Sequence, residues 1–370
     1  MRITIVQGAF LPVPPLRGGA VEKMWHQLAR GFVRLGHPVT HVSRLCDGLP
    51  AEEEIDGVRH VRVKGYDTPG SLVRLKALDL LYSLRVKRVM ERSDILVANT
   101  FWMPILLRDP ARWGRVVVDM QRMPRGQVRW YRHVACLRVN SEAVREAVVR
   151  ECPAIEPIVR LIPNPLPFEP PELVDWPGKE KVILYAGRVH PEKGLHLLAD
   201  AWKRLRGEFP EWRVEIAGPH AVSQGGGGES FLRALKERFE SDRVVWHGSV
   251  HDDAALHALY RKAAVFVYPS VAEKGETFGL APLEAMAFGA APVVSALECF
   301  RAFLSPRENG AVFNHRAEDP AAALAECMRC LMEDRECRQK VGRAAAERAK
   351  AFAPGIVAEQ FLEAFKKVSA

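Results

Sequence analysis

The stretch from Glu273 to Ser295, EKGETFGLAPLEAMAFGAAPVVS, constrains the fold more than any other part of the chain. An apolar run at 263–268 precedes it and is typical of a buried strand. After Gly279, apolar residues recur at three- and four-residue spacing, which indicates a helix, and Pro292 begins a second strand. Strand, helix and strand in this order predict a parallel sheet. In open α/β sheets, ligands bind at the carboxyl ends of such strands.

Two glutamates bracket this crossing, Glu276 before the helix and Glu284 within it. These residues alone leave two interpretations open. Negative charge is favourable near a helix N-terminus, so both side chains could simply cap the helix. Alternatively, they could accept hydrogen bonds from a ligand at the sheet edge. The choice depends on whether the rest of the chain supplies a ligand site.

The chain of 370 residues exceeds the usual size of one hydrophobic core, which predicts two domains. Six prolines between 163 and 178 mark the clearest linker. Strands and helices alternate on both sides of it, so the predicted class is α/β. We expect two Rossmann-like, doubly wound parallel-sheet domains, 1–168 and 177–353, facing each other across a cleft where a ligand binds.

Composition favours an ordinary soluble protein of the cytoplasm, with 48% hydrophobic and 26% charged residues. The sequence has no apolar window long enough to span a membrane, and its first residues resemble a strand rather than a signal peptide. Seven scattered cysteines suit a reducing compartment. Cys327 and Cys330 form a CxxC inside an Ala/Leu-rich helical pattern, which favours core packing over a metal or redox pair.

Positive charge is concentrated in the first half of the chain. Residues 1–170 contain 26 Lys/Arg and 17 Asp/Glu, a net charge of +9, whereas residues 171–370 contain 27 and 28, a net charge of −1. A basic surface predicts an anionic partner, either a membrane or nucleic acid. The helical segment 71–92 combines leucines with many basic residues. It is predicted to be either a solvated helix or an attachment to an anionic membrane surface.

Polar residues follow the predicted strands of the first domain. Gly18 and Gly19 come directly before a helix, where backbone N–H groups can approach a phosphate or sugar, although a lone glycine pair is a weak signal. Asn99 follows the strand at 94–98. Asp119 and Arg122 follow the strand at 115–118. These residues are the candidates for ligand contacts in the first domain.

The second domain offers a stronger combination. Arg188 and Lys193 lie five residues apart in the loop after the strand at 181–185, beside a glycine. Such a pair suits a diphosphate, because Arg binds it bidentately and Lys acts as a point charge. His220 and Gly248 follow the next two strands. Together with the two glutamates, which can accept hydrogen bonds from sugar and ribose hydroxyls, these loops predict a sugar-nucleotide site.

GRVHPEKG at 187–194 and the Glu276–seven residues–Glu284 motif resemble the paired signatures of retaining glycosyltransferase family 4, which has the GT-B fold. The segments RLGHPVT (34–40), IPNP (162–165) and YPS (268–270) also match that family's layout, so the resemblance covers essentially the whole chain. It implies retaining hexosyl transfer from a UDP- or GDP-sugar, without a metal or prosthetic group. The implied acceptor is a glycan or a lipid-linked molecule, in bacterial envelope polysaccharide or lipopolysaccharide synthesis.

The resemblance also implies residue roles. Arg188 and Lys193 would hold the donor diphosphate and stabilise it as it departs, Glu284 would bind the ribose, and Glu276 the hydroxyls of the donor sugar. The predicted donor contacts are Gly18, Gly19, Arg188, Lys193, His220, Gly248, Glu276, Phe278, Gly279, Leu280 and Glu284. The predicted catalytic residues are Glu276, Asp119, Arg188 and Lys193.

The sequence departs from this family at Asp119, because many members have a histidine at the end of that strand. Asp119 could position the sugar 6-hydroxyl, or it could orient Arg122 instead. The resemblance further implies that the final helix, 355–370, packs back on the first domain. Two other functions stay open: a sugar-nucleotide epimerase of the same fold, and a non-catalytic sugar-nucleotide-binding protein. A nucleic-acid partner is not predicted, because the arginines lack interleaved aromatic residues.

Overall fold

A computed structural model describes residues 1–16 and 19–369, so Gly18 lies outside the described residues. The chain divides into two compact units. Unit 1 comprises Met1–Glu169 and Phe352–Ala370, and unit 2 comprises Pro170–Ala351.

Unit 1 is built on a sheet of mostly parallel strands. Its elements are β1 (Ile3–Val6), α1 (Ala20–Arg34), β2 (Val39–Leu45), β3 (Glu52–Ile55), β4 (Val58–Lys64), α2 (Leu72–Val89), β5 (Ile95–Ala98), α3 (Met103–Leu106), α4 (Pro110–Trp113), β6 (Arg115–Met120), β7 (Cys136–Val139), α5 (Glu142–Glu151) and β8 (Val159–Leu161). In the described residues the strand order is β3-β4-β2-β1-β5-β6-β7-β8. The central strands are short apolar runs such as ILVA in β5, because helices cover both faces of the sheet.

Unit 2 repeats this plan with a second parallel sheet. Its elements are β9 (Glu180–Ala186), α6 (Leu195–Leu205), β10 (Arg213–Ala217), α7 (Gly228–Phe239), β11 (Val244–Gly248), α8 (Asp253–Lys262), β12 (Ala263–Tyr268), α9 (Leu280–Ala287), β13 (Ala291–Ser295), β14 (Ala311–Phe313), α10 (Pro320–Glu333) and α11 (Arg335–Lys350). The strand order in the described residues is β11-β10-β9-β12-β13-β14. The predicted α/β class with two parallel sheets is therefore confirmed.

The final helix, α12 (Pro354–Ser369), belongs to unit 1 and packs on α1. Trp25 of α1 meets Phe361 of α12 edge to face, with ring centroids 5.1 Å apart. Both rings are fully buried, so α12 completes the apolar core on this face of the sheet.

The acidic stretch at 52–56 contains an edge strand that its polar sequence does not indicate. Residues 52–55 form β3, an edge strand antiparallel to β4. Glu52 and Glu54 point to solvent in alternation with less exposed neighbours, and Glu52 pairs with Arg59 of β4. An edge strand tolerates this polar alternation, because one of its faces stays in water.

The predicted basic helix extends from Leu72 to Val89, but several of the leucines that suggested it face outward. Tyr82 and Val86 pack into the core, whereas Leu81 and Leu84 are exposed. No helix among the described residues is long and apolar enough to cross a membrane.

The strand orders define one switch point in each sheet, where consecutive connections leave in opposite directions. In unit 1 it lies between β1 and β5, and in unit 2 between β9 and β12. Ligands of open α/β sheets bind at the carboxyl ends of strands beside such points. In unit 2, the residues following β9 and β12 are those of the two sequence signatures.

Candidate functional site

The loops after β9 and β12 touch each other at the switch point of unit 2. Gly194 has a φ of 70°, and a Cβ atom there would lie only 1.9 Å from the carbonyl oxygen of Pro269. The two loops can approach this closely because residue 194 has no side chain and tolerates a left-handed backbone. The contact places Lys193 of the first loop against Glu276 of the second.

Lys193 and Glu276 form an ion pair at the centre of the site, with Nζ 2.7 Å from Oε2. Both side chains are nearly buried, 7% and 11% exposed respectively. The hydroxyl of Tyr268 donates a second hydrogen bond to the same oxygen at 3.1 Å. Burial, and then the nearby Glu276 carboxylate, raise the pKa of Tyr268 well above its usual value, so the hydroxyl stays a neutral donor. Charges removed from water in this way interact strongly with a bound ligand.

Arg188 lies in the same loop as Lys193 and is partly exposed. Its guanidinium donates to Glu192 at 2.7 Å and to the carbonyl oxygen of Gly225 at 2.6 Å. The hydroxyl of Tyr185 donates to the backbone carbonyl of Arg188 at 2.8 Å, which fixes the backbone at this position. The guanidinium is thus held at the site while part of its surface stays open to a ligand.

The glycine run 225–228 packs against the loops after β9 and β10. A Cβ atom at Gly226 would lie 2.2 Å from the carbonyl oxygen of His220. The Gly227 N–H donates to the carbonyl of Val189 at 2.8 Å, and Gly228 begins α7. The contacts with His220 and Val189 hold this segment in place, and the sequence of the segment itself does not reveal them.

Glu284 lies inside α9 and accepts a hydrogen bond of 2.9 Å from the hydroxyl of Tyr260. The N-cap of α9 is Gly279, which has no side chain, and the first turn contains no acidic residue. The capping interpretation of the two glutamates is therefore wrong.

The turn before α9 is tightly packed. Phe278 is buried, and a Cβ atom at Gly279 would lie 2.4 Å from the Phe300 ring. Leu280 is the first residue of α9.

His220 lies in the loop after β10, as its sequence position suggested, whereas Gly248 is the last residue of β11. The His220 Nε2 is 2.6 Å from a carboxylate oxygen of Glu229. The carbonyl of Gly248 accepts a 2.7 Å hydrogen bond from the N–H of Gly218. The N–H of Val189 donates to the carbonyl of Pro219, which joins the loops after β9 and β10.

Asp119 has a different environment from the one predicted. Its side chain is fully buried in unit 1, and its oxygens accept hydrogen bonds from Trp25 at 2.8 Å, Gln121 at 2.7 Å and Arg138 at 2.7 Å. The partner of Asp119 is therefore Arg138, and the expectation that it orients Arg122 is wrong. This buried carboxylate therefore links β6 to α1 and β7 within unit 1, which we call an anchoring role.

Gly19 precedes α1 as predicted, and its contact with a phosphate stays a prediction. It has a φ of 100°, and a Cβ atom there would lie 2.1 Å from a carboxylate oxygen of Glu22. Burial raises the pKa of Glu22, which the charge of Arg122 only partly opposes.

Sequence reasoning missed several polar residues of both switch points. Tyr185, Tyr260 and Tyr268 lie at the ends of apolar stretches and resemble ordinary core aromatics until their hydroxyl partners are seen. Gln7, which directly follows β1, is fully buried, and neither atom of its side-chain amide has a partner in the described residues. Asn99, which the sequence did single out, follows β5, and the two atoms of its side-chain amide also lack partners in the described residues. A polar residue immediately after a buried strand was the available signal.

Gly194→Ala tests the contact between the two loops. A left-handed conformation costs a residue with a side chain about 1–3 kcal/mol, and the clash with Pro269 adds to this. We expect lower stability of unit 2 in urea denaturation. Gly207→Ala is the matched control, because a Cβ atom there meets nothing within 4 Å. Equal behaviour of the two variants would contradict the inferred contact.

Within the described part of the chain, no group of three or more His, Cys, Asp or Glu side chains is arranged to hold a metal ion.

Comparison with known sequences places this chain among glycosyltransferases. The sequence profile described as glycosyl transferases group 1 matches residues 171–348. Phosphatidyl-myo-inositol mannosyltransferase of Mycobacterium leprae (strain TN) is 30% identical over 204 residues, which is 54% of this chain and 50% of that protein. D-inositol 3-phosphate glycosyltransferase of Arthrobacter sp. (strain FB24) is 33% identical over 172 residues, 46% of this chain and 38% of that protein. The chain thus spans half or less of the length of either relative.

Solved structures extend the likeness to the whole fold. Sucrose-phosphate synthase from Thermosynechococcus elongatus superimposes with a TM-score of 0.77 at 20% identity, covering 99% of this chain and 98% of that one. Anabaena HepE in complex with UDP and glucose gives a TM-score of 0.70 at 16% identity, covering 98% of both chains. Residues 171–348 are thus similar to the glycosyl transferases group 1 family, and the chain as a whole has the GT-B fold.

Proposed function

We propose that this protein is a retaining glycosyltransferase that moves a sugar from a nucleotide-diphosphate sugar to a glycan or lipid-linked acceptor. The observation that carries the proposal is the nearly buried Lys193–Glu276 pair at the switch point of unit 2. A cation and a carboxylate at one sheet edge match the two parts of the donor, its diphosphate and its sugar hydroxyls. The family also supports it, and solved relatives of the same fold contain UDP or ADP.

In the proposed complex, Arg188 and Lys193 bind the diphosphate and stabilise the charge that develops as it leaves. Such stabilisation is efficient because the two cations are already held in place by Glu192 and Glu276. Glu276 would accept hydrogen bonds from donor-sugar hydroxyls, and Glu284 from the ribose. The leaving phosphate can take the acceptor's proton, so the reaction needs neither a strong protein base nor a metal ion.

A panel of UDP-, GDP- and ADP-sugars in a thermal-shift assay, with and without EDTA, tests the donor proposal. A nucleotide at a hundred times its Kd stabilises the protein by roughly 2.7 kcal/mol, which gives a clear shift. We expect one nucleotide to stand out in both conditions, and NMR of the transfer product to show the donor's anomeric configuration retained. An inverted product, or a shift that requires a divalent metal, would refute the respective part of the proposal.

The same assays distinguish the proposed transferase from the two alternative functions, an epimerase and a non-catalytic binding protein. An epimerase would release nucleotide and a 2-epimeric sugar without any acceptor. A non-catalytic binding protein would show the thermal shift but no loss of donor. Transfer that depends on an added acceptor would exclude both.

For the acceptor, we propose a hydroxyl-bearing group bound in unit 1 at Gln7 and Asn99. Val6 and Ala98, the residues before them, are paired in register, so the two amides lie side by side at the switch point. Each amide offers both a donor and an acceptor, which suits hydroxyl groups. Both lack partners in the described residues, and a buried polar group without a partner is costly.

Gln7→Leu tests this acceptor site. We expect it to raise the KM for a soluble acceptor at least tenfold while the KM for the donor stays unchanged. Leucine has a shape similar to that of glutamine but lacks both hydrogen-bonding atoms of the amide. Two relatives are named for inositol-containing substrates, so myo-inositol is the first acceptor to test. Gln360→Leu, on the exposed side of α12, is the control. An equal KM for the acceptor in Gln7→Leu and wild type would contradict the assignment.

We also propose that the protein works in the cytoplasm, at the inner face of the membrane, in the synthesis of an envelope polysaccharide or lipopolysaccharide. Support comes from the net charge of +9 in residues 1–170 and from the relative named for phosphatidyl-myo-inositol, a membrane lipid.

A further inference from the structure

The outward face of α2 combines exposed apolar and basic side chains. Val73, Ala77, Leu81 and Leu84 follow one another at intervals of four, four and three residues, so they form one stripe along the helix. All four are exposed, and Val73 reaches 81%. Arg88 continues the stripe by one more turn. Four exposed aliphatic positions in line are unusual for a surface that faces only water.

A basic groove lies where this stripe ends. It encloses a volume of about 590 Å³ and is lined by Leu84, Lys87, Arg88, Met90, Arg92, Arg112 and Trp113. The Lys87 ammonium lies 5.7 Å from the centre of the Trp113 ring, and the Arg112 guanidinium lies 4.6 Å from it. The groove therefore has a cationic wall beside an aromatic and aliphatic surface.

The four cations of the groove are available to an anion. Among the described residues, no Asp or Glu forms a salt bridge with Lys87, Arg88, Arg92 or Arg112, and Lys87 donates only to the backbone carbonyl of Leu106, at 3.3 Å. Their concentration is costly in an isolated protein, because like charges repel at short distance. An anionic group in the groove would relieve that repulsion.

Within unit 1, the groove and the proposed acceptor site lie at opposite ends of the strands. Trp113 lies two residues before the start of β6, and Met90 and Arg92 lie shortly before β5. These are the amino ends of the strands, whereas Gln7 and Asn99 follow the carboxyl ends. The groove thus lies at the opposite edge of the sheet from the acceptor site, and the apolar stripe runs along α2, whose first half contacts the loop after β5.

We propose that the α2 stripe and the adjoining groove dock unit 1 on an anionic phospholipid bilayer, with lipid phosphates in the groove. The aliphatic stripe enters the boundary between headgroups and acyl chains, and the arginines stay at the level of the phosphates. Nucleic acid offers the same phosphates but no apolar layer, so it leaves the stripe in water. This inference names the partner surface of the proposed function, but lipid binding does not depend on sugar transfer.

Flotation of the full-length protein with vesicles of phosphatidylglycerol and phosphatidylcholine tests the surface. We expect binding to mixed vesicles and little binding to pure phosphatidylcholine. Reversing one charge in Arg88→Glu changes the local charge by two, so the partition coefficient should fall roughly 25-fold. The double variant Leu81→Ser/Leu84→Ser should lower it at least tenfold, through loss of the apolar contribution.

Two controls repeat these changes elsewhere on the surface. Arg150→Glu reverses an exposed charge on α5 of the same unit, and Leu173→Ser removes an aliphatic side chain that is 89% exposed. Both should bind vesicles like the wild type. The nucleotide-induced thermal shift should be unchanged in every variant, so a failure of lipid binding is distinguishable from a failure of the proposed function.

Three results would overturn the inference. The first two are equal binding to pure phosphatidylcholine vesicles and an equal loss of vesicle binding in the control variants. The third is preferential binding of double-stranded DNA, if Arg88→Glu abolishes that binding and the leucine substitutions do not change it.

Discussion

Glu276→Gln and Lys193→Met should each reduce sugar transfer by about 10²–10³-fold, the usual loss when one preorganised group that stabilises the transition state is removed. Glu276→Gln removes the proposed acceptor of sugar hydroxyls, and Lys193→Met removes one of the two proposed diphosphate ligands. Each change also leaves the other member of the pair nearly buried without its counter-charge. Breaking a buried pair in this way costs about 3–5 kcal/mol.

The double variant separates these two effects. Lys193→Met/Glu276→Gln removes both charges together, and replacing a whole buried pair by neutral groups is often close to neutral for stability. We expect its urea midpoint to lie near that of the wild type while transfer stays abolished. Lys181→Met is the matched control, because the Lys181–Glu211 pair is about half exposed and contributes at most about 1 kcal/mol. Transfer at the wild-type rate by any of the three Lys193 or Glu276 variants would rule out the proposed site.

Asp119→Asn should destabilise unit 1 by about 3–5 kcal/mol, because Arg138 would remain buried with its charge uncompensated. The guanidinium of Arg138 also donates to Asn164 and lies 5.2 Å from the Phe361 ring of α12. We therefore expect the loss to loosen the C-terminal helix as well. Urea denaturation followed by tryptophan fluorescence measures the effect. Trp25 is a useful reporter because its indole N–H donates a hydrogen bond to Asp119.

A second substitution distinguishes an anchoring role from a catalytic one. In Asp119→Asn/Arg138→Met, both charges are removed, and we expect much of the lost stability to return. Glu142→Gln on α5 removes a carboxylate from an exposed pair with Arg145 and should cost no more than about 1 kcal/mol. If Asp119 instead positioned the donor sugar, Asp119→Asn would lower kcat without changing the urea midpoint, which would contradict the anchoring role.

The predicted sheets illustrate what local patterns can establish. Strands such as β5 and β12 are short apolar runs, and helices such as α1 follow them with regular spacing, so period and order were sufficient to predict two parallel sheets. β3 was missed because its alternation is polar, and a polar edge strand resembles a turn unless its partner is known. The outward leucines of α2 were misleading for a related reason, since the period of a helix does not show which face is covered.

The candidate site divides in the same way. Sequence alone singled out Arg188, Lys193, Glu276 and Glu284, because their spacing forms two recognisable signatures. It also located the strand ends where ligands bind. Local spacing could not show that Lys193 and Glu276, 83 residues apart, form an ion pair, or that Tyr268 donates to the same carboxylate.

Only the tertiary structure decided the roles that depend on distant partners. Asp119 is an anchor because Trp25 and Arg138 converge on it, and the glycine run at 225–228 is ordered because His220 and Arg188 pack against it. The sequence by itself determined the fold class and the residues of the two signatures, since these rest on period and spacing along the chain. Burial, pairing and exposed faces arise from long-range packing, and so they became visible only in the folded chain.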